Sequence, residues 1–579
     1  MRPFLAIFLA VPLLAQRGGS PPDAAKPAAA KPANNEDGIP VSDPLVIAKC
    51  GSCHIKDDKG NLSRISWERT TPEGWEQAIK RMIRLNGLTL KPDEARAIVK
   101  SLSTTHGLAP EEAKPVMYIP EMRMIDETIT EDNVRSACTA CHAIGRARSW
   151  RRSKDEWNLL VAMHTGYFQV ADFTAFYRFF PPLDGPAPPG PGQDRRQPVD
   201  VAVEALAKDL PLNTPEWAAW RARMRAPKLT GRWIVSGYQA GRGKVIGEMN
   251  VEPGAAEDEF TTNVKLTYLK DGSTVTRTGK SLVYSGYTWR GRTRTQNAVA
   301  ASPSNAGGNP AELREVMWVS QDQSSMEGRW FWGAYEEFGY DVKLSRAGDG
   351  PLVLGTDRPM LKTGSTAQRV RIYGDNLPKA TAAEIDFGSG VTVKRIVDQS
   401  ATQVTVEVDV DAKAIVGKRD VSVRRAVSPN AIAIYDRIDY LKVKPDTALA
   451  RLGGSGHPKG FQQFEAWAYN RGPDDKPNTA DDVELGPVDA EWSVEEFYAV
   501  YGDDDKEFVG TLSPQAFFTP ALEGPNPKRK FSRNNYGDVW VVATYKGADK
   551  SGDKPLTAKS YLVVAVPLYV KWDQPEVGQ

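Results

Sequence analysis

The chain is 579 residues long, with 74 basic and 73 acidic side chains and a formal net charge of +1. That length exceeds one ordinary domain and implies roughly three to five domains of about 100–200 residues each. The balanced charge excludes recognition of nucleic acid or of an acidic membrane surface through bulk charge.

In chain order, Arg2 and the short apolar run from Phe4 to Leu14 read as a secretory signal over 1–15, with cleavage near Ala15. The run is too short to span a bilayer, and no other stretch approaches about 18 uninterrupted apolar residues. No cysteine follows it to carry a lipid. Export to the periplasm is the expectation. Residues 16–40, rich in Ala, Pro, Lys and Gly, predict a disordered linker.

From 41 to 227 the pattern is helical, and this stretch holds all four cysteines of the chain. They stand in Cys50-Gly51-Ser52-Cys53-His54 and Cys138-Thr139-Ala140-Cys141-His142. Cys-x-x-Cys-His is the attachment signal of a c-type haem, whose two vinyl groups take the two thiols while the adjoining imidazole ligates iron. Zinc ribbons also use Cys-x-x-Cys pairs, but a His directly after each pair favours haem. The expectation is two haem c groups bound by Cys50, Cys53, Cys138 and Cys141, with His54 and His142 as proximal ligands.

The two motifs open a partial repeat. Ser66-Trp67-Glu68-Arg69-Thr70 and Trp75 follow the first, and Ser149-Trp150-Arg151-Arg152-Ser153 and Trp157 the second. Met82 stands seven residues after Trp75, and His164 seven residues after Trp157. Both residue types ligate haem iron. The repeat therefore predicts His54/Met82 for the first haem and His142/His164 for the second, with His106, Met122 and Met124 as rivals. A Met on an apolar helical face is otherwise a core residue. Thioether ligation gives the first haem the higher potential. Seven prolines between Pro181 and Pro198 predict a stiff loop, and Thr214-Pro215-Glu216 a helix cap.

From 228 strand signals dominate. Phe260, Val264, Leu266 and Tyr268 precede Asp271-Gly272, a hairpin signal. The predicted organisation is an all-α dihaem cytochrome c domain at 41–227 followed by three all-β domains. These are a β-barrel-like domain at 228–349, an immunoglobulin-like sandwich at 350–445 and a second one at 446–579. Gly241-Arg242-Gly243-Lys244 lacks phosphate-loop spacing and reads as a β-turn. Asp474, Asp475, Asp481 and Asp482 offer oxygen ligands without the spacing of an EF-hand, and a solvated turn accounts for them. Asp503 to Asp505 read as a charged loop, and His457 as a loop residue.

The haem region also carries Leu62-Ser63-Arg64-Ile65-Ser66, Thr71-Pro72-Glu73-Gly74-Trp75, Arg81-Met82 and Gly107-Leu108-Ala109-Pro110-Glu111-Glu112. The last domain carries Gly472-Pro473-Asp474, Thr479-Ala480-Asp481-Asp482-Val483 and Gly524-Pro525-Asn526-Pro527-Lys528-Arg529-Lys530-Phe531. With two haem motifs ahead of three β domains, the chain resembles the α (dihaem cytochrome c) subunit of quinohemoprotein amine dehydrogenase. The resemblance implies a heterotrimer with a β-propeller subunit and a small subunit bearing cysteine tryptophylquinone. It implies oxidation of primary amines at that quinone, so that no catalytic residue lies in this chain. Electrons then pass through the two haems to a soluble cytochrome c or blue copper acceptor. Two rivals come from other classes: a dihaem peroxidase, and a stand-alone exported electron-transfer protein with partner-binding β domains.

Overall fold

The computed structural model describes residues 36–116, 132–139, 141, 144–177, 196–498 and 502–567. The signal at 1–15, most of the linker at 16–40, Met122, Met124, His142 and most of the Pro-rich loop lie outside the described residues.

The helices of the first region begin where local chemistry starts them. In α1 (Pro44–Cys50) the Asp43 carboxylate accepts from the Leu45 and Val46 N–H groups, with proline in the first turn. Thr71 caps α2 (Pro72–Asn86) through the Gly74 N–H, and Gly87, left-handed at φ 72°, ends it. Next come α3 (Pro92–Thr105), α4 (Pro110–Ala113), α5 (Asp132–Cys138) and α6 (Gly145–Arg148). Ser153 then caps α7 (Lys154–Tyr167), and α8 (Pro198–Asp209) and Thr214-capped α9 (Pro215–Arg223) complete the region.

A large all-α haem domain, as predicted, is not what the chain builds. Strand takes 41% of the described residues against 22% in helix, and no large all-helical haem domain is evident among them. The helices are short, and the two haem motifs are joined by a β-ribbon. Strand β1 (Glu68–Thr70) pairs antiparallel with β2 (Trp150–Arg152). The physical reason is backbone satisfaction: these residues are mostly buried between the two halves, where no helix can be continued, and a ribbon pairs their amides.

The rest is β. Strands β3 (Gly231–Gln239), β4 (Gly243–Pro253), β5 (Glu259–Tyr268), β6 (Thr274–Tyr284), β7 (Thr288–Arg294), β8 (Glu312–Val319), β9 (Ser325–Trp332) and β10 (Phe338–Arg346) form a closed antiparallel barrel. Alternation puts Phe260, Val264, Leu266 and Tyr268 inside, in one core with Trp233, Trp289 and Trp330. Gly272 makes the β5–β6 turn at φ 71°, and Gly241 and Gly243 make the β3–β4 turn at φ 78° and 83°.

Residues 352–435 form two four-stranded sheets over one core. Val370 pairs with Val406 and Ile372 with Val404 in one sheet, facing Val421, Val423, Ile432 and Ile434 of the other. Residues 440–565 form one four-stranded and two three-stranded sheets around Phe464, Val539, Val541 and Leu562.

The haem-bearing region is fused to the barrel rather than tethered. Arg290 of β7 holds Glu73 of α2 at 2.5 and 3.2 Å, Lys100 of α3 pairs with Asp258 at 2.6 Å, and Tyr287 donates to the Leu108 carbonyl at 3.0 Å. Leu282 and Tyr284 of β6 share a core with Trp75, Ile79 and Leu102.

Candidate haem site

In the first half, α1 ends on Cys50 and the chain turns so that the His54 N–H returns to the Cys50 carbonyl at 2.9 Å. A Cβ on Gly51 would stand 2.6 Å from the Ile47 carbonyl oxygen, so this turn wants glycine between the cysteines. His54 Nδ1 lies 2.8 Å from the Ser63 carbonyl. A carbonyl only accepts, so Nδ1 carries the proton and the lone pair is on Nε2, the arrangement that orients a ligating imidazole. Cys50 is half-buried, Cys53 is exposed, and both are free thiols; burial, then the neighbouring Cys53, raises the Cys50 pKa.

In the second half, Cys138 closes α5, and burial pushes its thiol up to about 11. Cys141 is exposed, and both thiols are free.

The ribbon relates the halves. Glu68 pairs with Arg152, Arg69 with Arg151 and Thr70 with Trp150. Each of β1, the Thr71 cap and α2 has its counterpart in β2, the Ser153 cap and α7 at one constant offset. The pairing is therefore that of a local two-fold axis through Arg69 and Arg151. Trp150 is the counterpart of Glu68, not of Trp67, so the Ser-Trp match in the sequence is one residue out of structural register. The Trp75/Trp157 match is in register, and Met82 and His164 hold the same place in equivalent helices.

One carboxylate serves both sides of the axis. Glu112 receives a two-pronged bond from Arg69 at 2.8 and 2.9 Å and pairs with Arg151 at 3.2 Å. Arg69 also donates to the Leu212 and Gly107 carbonyls. Burial raises the Glu112 pKa, but the Arg69 bonds and the charges of Arg69 and Arg151 outweigh it, and the carboxyl stays below its usual range.

Met82 is half-buried rather than in the core, while Trp75 and Ile79 on its helix are buried. The His164 ring folds back on α7, Nδ1 lying 2.9 Å from the Leu160 carbonyl, which again places the lone pair on Nε2. It packs edge-on to Phe176 at 5.8 Å and beside Phe168 at 6.1 Å. Burial holds its pKa down against the Leu160 bond, helped by the charges of Arg152, Arg81 and Arg146.

The rival His106 is fully buried with both ring nitrogens engaged, Nε2 with the Ile39 carbonyl at 2.9 Å and Nδ1 with the Thr105 hydroxyl at 2.8 Å. Burial takes its pKa down to about 4 against the Ile39 bond. It acts as a neutral clasp between the chain before α1 and the end of α3. His457 lies in a tight turn with Gly454, far along the chain in the last β unit.

The acidic turn satisfies itself. Asp482 accepts from Tyr440 and Thr479, and Asp481 from Asp474 and Thr479. Asp503, Asp504 and Asp505 come close enough for a cation, but Arg533 reaches all three and Arg529 two of them. These guanidiniums already supply the positive charge.

Sequence reasoning missed the charged seam between the halves. Arg64 pairs with Glu156 at 2.7 Å, and Arg152 donates to Glu68 and lies over the Trp150 ring at 4.1 Å. Burial, then the Glu68 charge, raises Glu156 to about 7 despite Arg64 and Arg152. The only hint in the sequence is that charged residues occupy the repeat where apolar ones would fill a core.

These residues fit haem. Each half offers two free thiols, His54 and His164 hold imidazoles whose lone pair is on Nε2, and large apolar side chains stay open to solvent in both halves. These are Ile55, Ile83 and Leu85 in the first half, and Phe168, Val170 and Phe173 in the second. A flat apolar macrocycle covers such surface. Bound there, haem supplies a one-electron couple tuned by its axial ligands and surroundings.

Thiols, oriented imidazoles and a β scaffold define a haem-carrying redox chain. Family models agree on which. Residues 41–179 match the haem-binding model of the quinohemoprotein amine dehydrogenase alpha subunit, and 226–347, 353–436 and 441–577 match domains II, III and IV of that subunit. The chain belongs to the quinohemoprotein amine dehydrogenase alpha-subunit family. Haem is its cofactor, and the quinone is on a partner chain of a multi-subunit complex. No curated protein matches the chain.

Solved structures with local likeness include a designed fluorescence-activating β-barrel at 18% identity, covering 20% of this chain and 93% of that one, TM-score 0.15. A Bacteroides ovatus mixed-linkage glucan utilization locus protein, SGBP-B, is 11% identical over 41% of this chain and 56% of its own, TM-score 0.19. Human protocadherin-24 EC1-2 is 10% identical over 39% and 98%, TM-score 0.14.

Proposed function

We propose that this chain is the electron-transfer subunit of a periplasmic quinohemoprotein amine dehydrogenase. Two haem c groups, at Cys50/Cys53/His54 and Cys138/Cys141/His142, take electrons from cysteine tryptophylquinone on a small partner subunit. A β-propeller subunit completes the heterotrimer. A primary amine and water become an aldehyde and ammonia, releasing two electrons and two protons at the quinone. The electrons leave through a soluble cytochrome c or blue copper protein. Met82 and His164 are the distal ligands.

The observation that carries this reading is the β1–β2 ribbon, which joins two haem-motif halves about a local two-fold axis. Two one-electron centres side by side suit a two-electron donor. The chain's own residues hold the proximal imidazole, fix the spacing of the halves through Glu112 and anchor both to the barrel.

The test is co-purification from the periplasmic fraction, quinone staining of the small chain and anaerobic addition of a primary amine. The expected result is a stained small subunit and reduction of both haems by amine. Absence of a quinone-bearing chain, or turnover of peroxide by the isolated subunit, would overturn the reading.

A further inference from the structure

Arg64 has a backbone conformation that arginine rarely adopts. It stands at φ 71°, ψ −50°, at the entrance to the short 3-10 helix Ile65–Trp67. That is close to the central position of the strained form of the γ-turn. A residue other than glycine keeps such a conformation where its surroundings over-determine it, and strain of this kind gathers at ligand clamps. The residue before it is Ser63, whose carbonyl accepts from His54 Nδ1 at 2.8 Å.

These two features share one peptide bond. The peptide unit is planar, so the Ser63 carbonyl and the Arg64 N–H turn as a single plate. The Ser63 N–H is fixed on the Ile55 carbonyl at 3.0 Å. With that end held, the turn at Arg64 aims the carbonyl. A return of Arg64 to an ordinary negative φ would rotate the plate and take the carbonyl off the imidazole.

What anchors the turn comes from the other half. Arg64 Nε donates to Glu156 Oε2 at 2.7 Å, and the Glu156 side chain is only 3% exposed. A carboxylate so far from water holds its ion-pair partner. Glu156 is itself firmly mounted in the first turn of α7, its N–H on the Ser153 cap at 3.3 Å. The Ser153 N–H donates to the Trp67 carbonyl at 3.2 Å, so the same cap grips the far end of the 3-10 helix. The ion pair fixes where the Arg64 side chain leaves the chain, and His54 fixes where the Ser63 carbonyl points. Arg64 meets both demands at φ 71°.

We infer that Arg64 and Glu156 are positioning residues for the proximal ligand of the first haem, their ion pair across the seam holding the turn that aims the Ser63 carbonyl at His54. A ligating imidazole that donates from its other nitrogen is oriented by that bond and made a stronger base. The second half thus tunes the ligand of the first.

The inference rests on haem bound at the first motif, which a haem count by pyridine haemochrome checks separately in every variant. The variants are made in the full complex on a Cys53→Ala background. There a single thioether bond displaces the α band of the first haem from that of the second, and each is titrated at its own wavelength. The variants are Arg64→Ala, Arg64→Gly, Glu156→Ala and the double Glu156→Ala/Arg64→Gly. Reduction potentials and the g values of the ferric haems in the electron paramagnetic resonance spectrum are measured on each. An ion pair that only stabilises the fold would move neither.

Alanine opposes a positive φ and gives up the ion pair, whereas glycine adopts that φ freely. Arg64→Ala should therefore keep both haems, change the g values of the first and raise its potential. The expected rise is about tenfold in the reduction equilibrium, or ~59 mV for one electron. Loss of the guanidinium charge alone would lower the potential, so the sign tells the bond from the charge. Arg64→Gly should leave the g values of the parent, and in the double variant it should restore them from the change that Glu156→Ala makes. With both haems bound, first-haem g values and potential unmoved in Arg64→Ala and Glu156→Ala would overturn the inference. A change in Arg64→Gly as large as that in Arg64→Ala would do the same. One haem per wild-type chain, with none on the peptide bearing Cys50, would overturn the haem reading itself and the inference with it.

Discussion

Removing Glu112 should loosen both haem halves at once. Its side chain is only 4% exposed, between Arg69 at 0% and Arg151 at 9%. Glu112→Ala leaves two buried guanidiniums facing each other across the axis. Breaking a buried ion pair from one side costs about 3–5 kcal/mol, chiefly because the abandoned charge stays desolvated. Glu112→Gln keeps an acceptor and should cost less. The chain has several cooperative units, so one global unfolding energy is not defined. The assay is urea unfolding followed at the haem Soret band, which reports the haem region alone.

The pH dependence has a definite sign. The Glu112 folded pKa is depressed, so its contribution is present above the unfolded value, about 4.3. It is lost as pH falls through the lower folded value. The wild type should therefore lose Soret-detected stability more steeply than Glu112→Gln as pH falls below the ordinary carboxylate range. A loss under about 1 kcal/mol in Glu112→Ala at neutral pH, the range of an exposed pair, would refute the reasoning.

Glu156 has the opposite sign. Its folded pKa is raised to about 7, so its contribution is present below the ordinary carboxylate range and lost as pH rises through 7. Glu156→Gln should flatten that slope in the same Soret-detected assay. His106→Gln should lower the melting temperature yet leave the visible spectra of both haems unchanged; a changed axial-ligand spectrum would restore His106 as a ligand. Met82→Ala should remove the Met/His band from the near-infrared magnetic circular dichroism and leave the bis-His band; its survival would sink the assignment. Cys53→Ala or Cys141→Ala should lower the haem held by two thioether bonds from two per chain to one, read from the haemochrome spectrum.

What was legible in the sequence was what local chemistry writes. The Cys-x-x-Cys-His motifs, the Thr214 cap and the Asp271-Gly272 turn each depend on neighbours a few residues away. The Trp-plus-seven correspondence held because it counts along a helix from its cap. The Ser-Trp correspondence slipped by one because identical letters fell in loops of unequal length. The ribbon itself was invisible. Glu68-Arg69-Thr70 and Trp150-Arg151-Arg152 have no apolar alternation, and they are strands because they meet each other across 82 positions of chain. The setting of His106 is hidden for the same reason: the carbonyl that engages its Nε2 lies 67 residues earlier, at Ile39. The expectation of an all-helical haem domain failed where this ribbon replaces helix.

The shared core of Trp75, Leu102, Leu282 and Tyr284 bears on how the molecule can be taken apart. A cytochrome cut out at the apparent seam near residue 228 would carry an open apolar wound and an orphaned Glu73, while the barrel would keep Arg290 buried with nothing to neutralise it. Transplanting the haem-binding region onto another scaffold therefore means moving the barrel with it, and a proteolytic nick between them should leave the pieces clasped rather than freed.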